Sequence, residues 1–373
     1  MGFLPTRNFR ASTFEAADNL SGANLRENYT VRNKGCYNCP VGCSRYCRVD
    51  EGEYAGTAGE GPEYESISAF ASKCGNSNVE AVLRANELCN DYGLDTISTG
   101  NVLAWGMECL ERGILSSRDL DGEDLRFGNH RAMLAMIHRI AHREGGGDLL
   151  AEGAPRAARR IGGEDLVVHS KGLDYPAVDV RGTKGMALSF AVSPRGGDHL
   201  KGLCLYEVAP DVYAEAIQQE LGIDVGDRFW LRYETKARLM AWQEDWHCVV
   251  DSLGLCKLEG IALKPLGPRH FHGLLTAATG WSGTLEDLRT VGERIWNQER
   301  LFNIREGLGK KDDYPPRRLM REPIPDGPSR GERLDPADYE GLLLEYYRLR
   351  GWDEESGRPL SGNLLRLGLE EPE

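Results

Sequence analysis

The sequence predicts a mostly α protein of two helical domains with minor β elements. Apolar residues recur at helical spacing through several stretches that glycines separate. A length of 373 residues leaves ample volume for two or three domains with real cores. Composition then shifts near Gly162-Gly163 to a run rich in glycine, proline and aromatic residues. The boundary is placed at Gly163, giving domains over residues 1–163 and 164–373.

Residues 1–35 are polar and turn-rich, and Ser12 or Thr13 can cap a short helix through Ala17. A cysteine run follows, then a glycine-rich loop over 51–61 and a turn feeding a helix through Ala71. From Asn78 to Tyr92, Val79, Val82, Leu83, Leu88 and Cys89 fall on one helical face, and Gly93 supplies the stop. Asp95 to Ser98 caps a second long helix that closes at Gly113. The spacing predicts further helices over Arg131–His142 and Leu149–Ile161. Leu166-Val167-Val168 reads as a short β run. Helical patterns return over 211–221, 229–250, 285–305 and 336–350, while Pro315-Pro316 and the segment 323–336 read as surface connectors.

Hydrophobic residues are 40% and charged residues 28%, ordinary values for a globular chain. Apolar runs fall short of membrane-spanning length, and the opening MGFLPTRNFR lacks the apolar core of a signal peptide. The expected location is therefore the cytoplasm, with no membrane partner. The net charge of −13, without a basic stripe, argues against nucleic acid. In a reducing compartment the ten cysteines are ligands and core residues rather than disulfides.

Four of them, Cys36, Cys39, Cys43 and Cys47, are spaced C-x2-C-x3-C-x3-C with Gly35, Pro40 and Gly42 permitting tight turns. Thiolates bunched in this way suit a soft metal centre. Zinc sites usually pair two C-x2-C knuckles, or one knuckle with two histidines, and bacterial ferredoxins run C-x2-C-x2-C-x3-C-P; neither template fits, and a second knuckle is absent. A 4Fe–4S cluster is favoured over zinc or plain buried thiols. By spacing alone Cys47 is the fourth ligand.

Two further stretches share the form D/N-x-x-G-L-C/D at helix ends: Asn90-Asp91-Tyr92-Gly93-Leu94-Asp95 and Asp251-Ser252-Leu253-Gly254-Leu255-Cys256. Each alone is a capped helix end. Together they offer short acids or amides whose oxygens can face a ligand's amino group. Glu244 and His247 stand three apart on one helix, but a single pair is half a metal site. Cys74, Cys89, Cys109, Cys204 and Cys248 read as core thiols.

These motifs, with Leu4-Pro5-Thr6-Arg7-Asn8-Phe9, Gly61-Pro62-Glu63-Tyr64-Glu65, Pro194-Arg195-Gly196-Gly197-Asp198-His199 and Tyr346 to Asp353, run in order along the whole chain. The chain resembles the aldehyde:ferredoxin oxidoreductases, which carry tungsten, sometimes molybdenum, on two pterins. The resemblance implies the fold of the family's second and third domains, with the cofactor between them. It makes Cys36, Cys39, Cys43 and the distant Cys256 the cluster ligands. Asn90, Gly93, Leu94 and Asp95 would contact one pterin, and Asp251, Gly254 and Leu255 the other. Asn90 departs from the motif's acid, and an amide offers one acceptor oxygen where a carboxylate offers two.

Glu65 and His199 correspond to the family's acid and imidazole beside the metal, and the implied activity is aldehyde oxidation with electrons passing to ferredoxin. A Glu-x-x-His that holds iron between subunits in some members is replaced here by Arg84-Ala85-Asn86-Glu87. Members also carry an N-terminal β-rich pterin-covering domain, and this chain begins where that domain ends. The expectation is a separate partner chain or a truncated remnant. The alternatives are a member that reduces carboxylic or acyl substrates and a non-catalytic electron-transfer subunit.

Overall fold

In a computed structural model that describes residues 1–203, 205–258 and 266–370, about 53% of residues are helical, well above the third typical of globular proteins. The first half runs α1 (Gly22–Asn28), β1 (Thr30–Lys34), β2 (Ser44–Arg48), β3 (Ala58–Glu60), α2 (Tyr64–Phe70), α3 (Val79–Tyr92), α4 (Thr96–Glu111), α5 (His130–His142), α6 (Gly146–Leu150) and α7 (Ala154–Ile161). The second half runs β4 (His169–Ser170), β5 (Leu173–Asp174), α8 (Lys184–Val192), α9 (Leu205–Val208), α10 (Pro210–Leu221), α11 (Lys236–Ser252), α12 (Pro268–Thr279), α13 (Leu285–Arg305), α14 (Arg317–Arg321), α15 (Pro336–Arg350) and α16 (Ser361–Leu367).

β1, β2 and β3 form an antiparallel meander with Lys34 opposite Ser44 and Cys47 opposite Gly59. The β4–β5 pair is a short ribbon. Two apolar cores result. One is built from residues between Phe14 and Val167, with Phe70, Leu103, Met107 and Met133 fully enclosed. The other gathers Phe9 with residues from Val168 to Trp352, including Trp246, Trp296, Tyr346 and Tyr347. α11 is its central rod, packed on α8, α13 and α15. A Cβ at Gly292 of α13 would stand 2.0 Å from the Asp245 carbonyl oxygen, so the α11–α13 approach requires glycine there.

Cap chemistry sets several ends as expected. Asn78 accepts from Ala81 N, Asp95 accepts from Ser98 N, and Gly93 closes α3 in the left-handed conformation at φ 68°. Other expectations change. The helix expected from Ser12 to Ala17 is a series of turns, and α1 starts later, capped by Ser21. Leu166 ends a 3₁₀ turn, so the β run starts at His169. The stretch 149–161 is broken at Gly153, where φ is 78° and Pro155 starts α7. The stretch 229–250 is interrupted by Thr235 at φ 67°, so α11 begins at Lys236. The connector after Pro315-Pro316 contains α14, whose Arg318 is buried.

Arg318 belongs to a polar seam between the cores. Its Nη1 donates to Glu108 Oε2 at 2.6 Å and to the Asn8 carbonyl at 2.9 Å, and Asn8 Nδ2 donates to Glu108 Oε2 at 2.7 Å. Against burial, the Arg318 guanidinium holds the Glu108 carboxyl below the usual range. Removing one partner of such a pair leaves an uncompensated buried charge, and the loss is about 3–5 kcal/mol. Glu108→Gln is expected to lower the unfolding free energy by about that much in urea titration. A loss under about 1 kcal/mol would show that the seam is not a structural tie.

Candidate functional site

Glu65 sits in the first turn of α2, and its Oε2 accepts from Ala177 N at 2.6 Å. Tyr64 beside it donates to the Ala177 carbonyl at 3.0 Å, so both backbone polar groups of one residue are held by α2. His199 follows the turn Arg195-Gly196-Gly197-Asp198. Gly196 has φ 99°, and a Cβ there would meet the Ser170 carbonyl oxygen at 2.3 Å, so the turn lies flush on the β4–β5 ribbon. Asp198 Oδ1 accepts from Leu200 N at 2.7 Å and fixes the chain just after the imidazole.

The structure brings Glu65 and His199 together. His199 Nε2 stands 3.7 Å from Glu65 Oε1, with 17% and 18% of the two side chains exposed. That separation is outside direct hydrogen bonding, and both side chains stay partly exposed. The two groups come from different cores.

Asp251 lies in the last turn of α11, exposed, with Oδ2 accepting from Lys257 Nζ at 3.0 Å. Lys257 Nζ also donates to the Leu200 carbonyl, which ties this motif to the His199 turn. Gly254, at φ 67°, turns the chain so that Leu255 packs on the second core while Cys256 is exposed. The other motif lies across α2. Asn90 and Asp91 line a cavity of about 520 Å³ together with Gly61, Glu63, Ser66 and Thr96. Ser66 and Thr96 hydroxyls bond each other at 2.9 Å. Gly93 and Leu94 shape the α3–α4 corner, and one carboxylate oxygen of Asp95 is engaged as the α4 cap.

The β1–β2 hairpin loop carries Cys36, Cys39 and Cys43, of which the first and last are exposed. Arg45 Nη2 donates to the Cys43 carbonyl at 3.3 Å and Nη1 to the Pro62 carbonyl at 3.2 Å, which pins the loop to the segment entering α2. Burial pushes the Cys43 thiol up, and the neighbouring charges of Glu63, Cys256 and Cys36 act in the same direction. Cys256 is thus a neighbour of the loop although it is remote in the chain. Cys47 points the other way. It is 3% exposed, and its Sγ faces Thr30 Oγ1 at 3.8 Å. Among the described residues no three His, Cys, Asp or Glu side chains converge as ligands of a single metal ion. Cys74, Cys89, Cys109 and Cys248 are buried, and Cys204 lies outside the described residues.

Residues 1–369 match the family model described as aldehyde ferredoxin oxidoreductase, domains 2 and 3. The chain belongs to the aldehyde ferredoxin oxidoreductase family. It is 39% identical over 376 aligned residues to the tungsten-containing aldehyde ferredoxin oxidoreductase of Pyrococcus abyssi, covering 99% of this chain and 58% of that protein. It is 30% identical to the aliphatic sulfonate oxidoreductase, WOR-like subunit, of Pyrococcus furiosus, over 90% of this chain and 50% of that one. Among solved structures, the active site complex BamBC of benzoyl coenzyme A reductase with 1,5-dienoyl-CoA superposes with a TM-score of 0.72 at 23% identity, covering 93% of this chain and 54% of that one. That likeness concerns the fold. The chain thus spans little more than half the length of the family relatives it matches.

Two buried titratable residues were not flagged by the sequence. Fully buried Lys73 donates to the Tyr175 carbonyl at 2.8 Å, and burial lowers its amine to about 8. Burial pushes the Asp174 carboxyl up to about 7 from 3.8, against the pull of Lys73 and Ser98. A lysine within the small-residue run Ala69–Cys74 was the one available signal. Between pH 3.8 and about 7 the folded Asp174 keeps a proton that the unfolded chain has released. Its contribution to stability therefore falls as pH rises through that window. The Asp174→Asn chain is expected to gain stability relative to wild type across the same window, read by urea unfolding at stepped pH. A difference independent of pH would contradict the assignment.

Proposed function

We propose that this chain supplies the catalytic face of a tungsten-dependent aldehyde oxidoreductase, taking the two cores as its two domains. The observation that carries the reading is the meeting of Glu65 and His199, drawn from both cores, beside the Asp251–Cys256 segment. The half-reaction is RCHO + H2O → RCOO⁻ + 3H⁺ + 2e⁻, so the site must handle protons as well as electrons.

The residues fit the cofactors that family membership implies. Cys36, Cys39, Cys43 and Cys256 give four soft donors from two directions, matching a 4Fe–4S cluster, while Cys47 is turned into the core. The Asn90 cavity is walled by the acids Glu60, Glu63, Glu87 and Asp91, which suits N–H donors of a pterin edge. Asp251 offers the same chemistry on the other motif. When bound, tungsten (or molybdenum) on two pterins would supply a two-electron acceptor, and a cluster held by these thiols would supply a one-electron relay to a ferredoxin partner.

The chain's own residues position and protonate. His199 Nε2 orients the carbonyl oxygen of an aldehyde set against the exposed edge of the pair. Glu65 Oε1 takes a proton from the attacking water, while the Ala177 N–H holds Oε2 in place. Lys257 keeps the His199 turn in register with Asp251. A second chain carrying a pterin-covering domain is the implied partner, because the two helix-end motifs grip the cofactor from one side.

Single-thiol substitutions test the ligand set. Cys36→Ser, Cys39→Ser, Cys43→Ser and Cys256→Ser are expected to lose iron–sulfur absorption, and Cys47→Ser to keep it. The reverse pattern for Cys47 and Cys256 would assign the fourth ligand to the hairpin.

The activity is tested on the chain co-expressed with an adjacent-frame N-terminal-domain chain. That assembly is expected to hold tungsten or molybdenum and to oxidise aldehydes, whereas the chain purified alone keeps iron only. Glu65→Gln and His199→Asn are expected to retain metal and to lower turnover by about 10² to 10⁴. Full metal with normal turnover in both variants would remove these residues from the mechanism.

A further inference from the structure

Behind His199, the face of α11 formed by Gln243, Glu244 and His247 carries three buried acceptors that find no hydrogen-bond donor among the described residues. They are Gln243 Oε1, Glu244 Oε1 and His247 Nε2, and Glu299 Oε2 of α13 is a fourth. Residues three and four apart share one helix face, so the α11 atoms cluster. The loop after His199 lies directly over them. Gln243 Nε2 donates to the Leu203 carbonyl at 3.2 Å, and a Cβ at Gly202 would approach Glu244 Cγ to 3.2 Å.

His247 Nδ1 meets the Gln243 carbonyl at 3.0 Å and must carry the proton there, which leaves Nε2 as a bare lone pair. Burial, then the cations Lys257, His199 and Lys201, hold this imidazole neutral, with its proton affinity lowered to about 3. A buried acceptor left bare forfeits its hydration with nothing in return. Native proteins meet such groups with internal water.

The cluster also has an outlet. Glu244 Oε2 accepts from Tyr346 OH and Arg350 Nη2, both at 2.6 Å. Arg350 and Asp245 line an open cavity of about 770 Å³ on the far side of α11, walled also by Trp246 and Arg289. Glu244 therefore stands between the His199 loop and a second route to solvent.

We propose that Glu244 and His247 form a buried proton exit, completed by internal water, from His199 to the Asp245–Arg350 cavity. The aldehyde reading supplies only the source of the protons. A proton on His199 passes to water held by His247 Nε2, from that water to Glu244 Oε1, and from Glu244 to solvent in the cavity. Each group returns to its starting state, and no electron moves. Burial raises Glu244 to about 7 despite Arg350 and Tyr346, with Asp245 adding to the rise, so it loads and unloads near neutral pH. His247 is a positioning residue. Neither side chain touches substrate.

The test is infrared spectroscopy of the purified full chain labelled with ¹³C-glutamate, in H2O and after a switch to D2O, and it needs neither tungsten nor aldehyde. The expected result is a protonated glutamic acid band at neutral pH that fades as pH rises through about 7 and disappears in Glu244→Gln. In His247→Gln the band should remain, shifted, and exchange with D2O about 10²-fold more slowly. A labelled wild-type chain without a protonated glutamate at neutral pH overturns the proposal, whether or not the variants fold. So does exchange unaffected in His247→Gln. Lack of aldehyde turnover in the assembled enzyme would instead strike the functional reading and leave these bands as they are.

Discussion

The molecule depends on a polar seam that fixes one apolar core against the other. Glu108 and Arg318 pair in full burial, and Asn8 is bonded to both. Arg181 reaches the Phe9 carbonyl at 2.6 Å while Asp179 grips its guanidinium. Lys73 and Asn101 converge on the Tyr175 carbonyl at 2.8 and 3.0 Å. Arg7, Asn8 and Phe9 hold left-handed backbone, with φ of 44°, 54° and 61°. Three consecutive non-glycine residues there carry strain that the surrounding bonds must offset. Charge pairs in such a place do little for stability compared with apolar packing, but they fix one relative placement. Placement is what the site needs, because Glu65 and His199 come from opposite sides of the seam.

The same logic joins the cysteine hairpin to the rest. The loop is exposed and would be mobile alone, but Arg45 ties it to Pro62, two residues before α2. α2 in turn carries Glu65 in its first turn and Ser66 on the Asn90 cavity. Cys256 arrives from the end of α11 through the Gly254 turn, and Lys257 links that turn to the residue after His199. The hairpin thiols and Glu65 are thus tied to α2, and Cys256 and the His199 loop to the end of α11, so a shift in either helix moves both sets.

Helices with one wet face were legible. α13 and α15 begin and end where their patterns do, because polar and apolar positions alternate at the helical period. α8 gave no such signal, since all nine of its residues are buried and no polar face marks the period. β1 and β2 were missed for the opposite reason: most of their residues are exposed or half-buried, so period-two alternation never develops. Spacing alone offered Cys47 as a ligand where the family resemblance pointed to Cys256, and the register of β2 turns the Cys47 thiol inward. Glu65 and His199 carried no local signal of partnership. Their meeting follows from the seam, which sequence periodicity does not encode.

If the chain works as proposed, tungsten lies where the two cores meet and iron lies at the cysteine hairpin beside it. Anomalous scattering at the tungsten and iron edges, from crystals of the assembled enzyme, would locate both metals directly. The account predicts a single tungsten peak beside the Glu65 carboxylate and the His199 imidazole, with iron enclosed by Cys36, Cys39, Cys43 and Cys256. A tungsten peak remote from both side chains, or iron bound at Cys47, would contradict it.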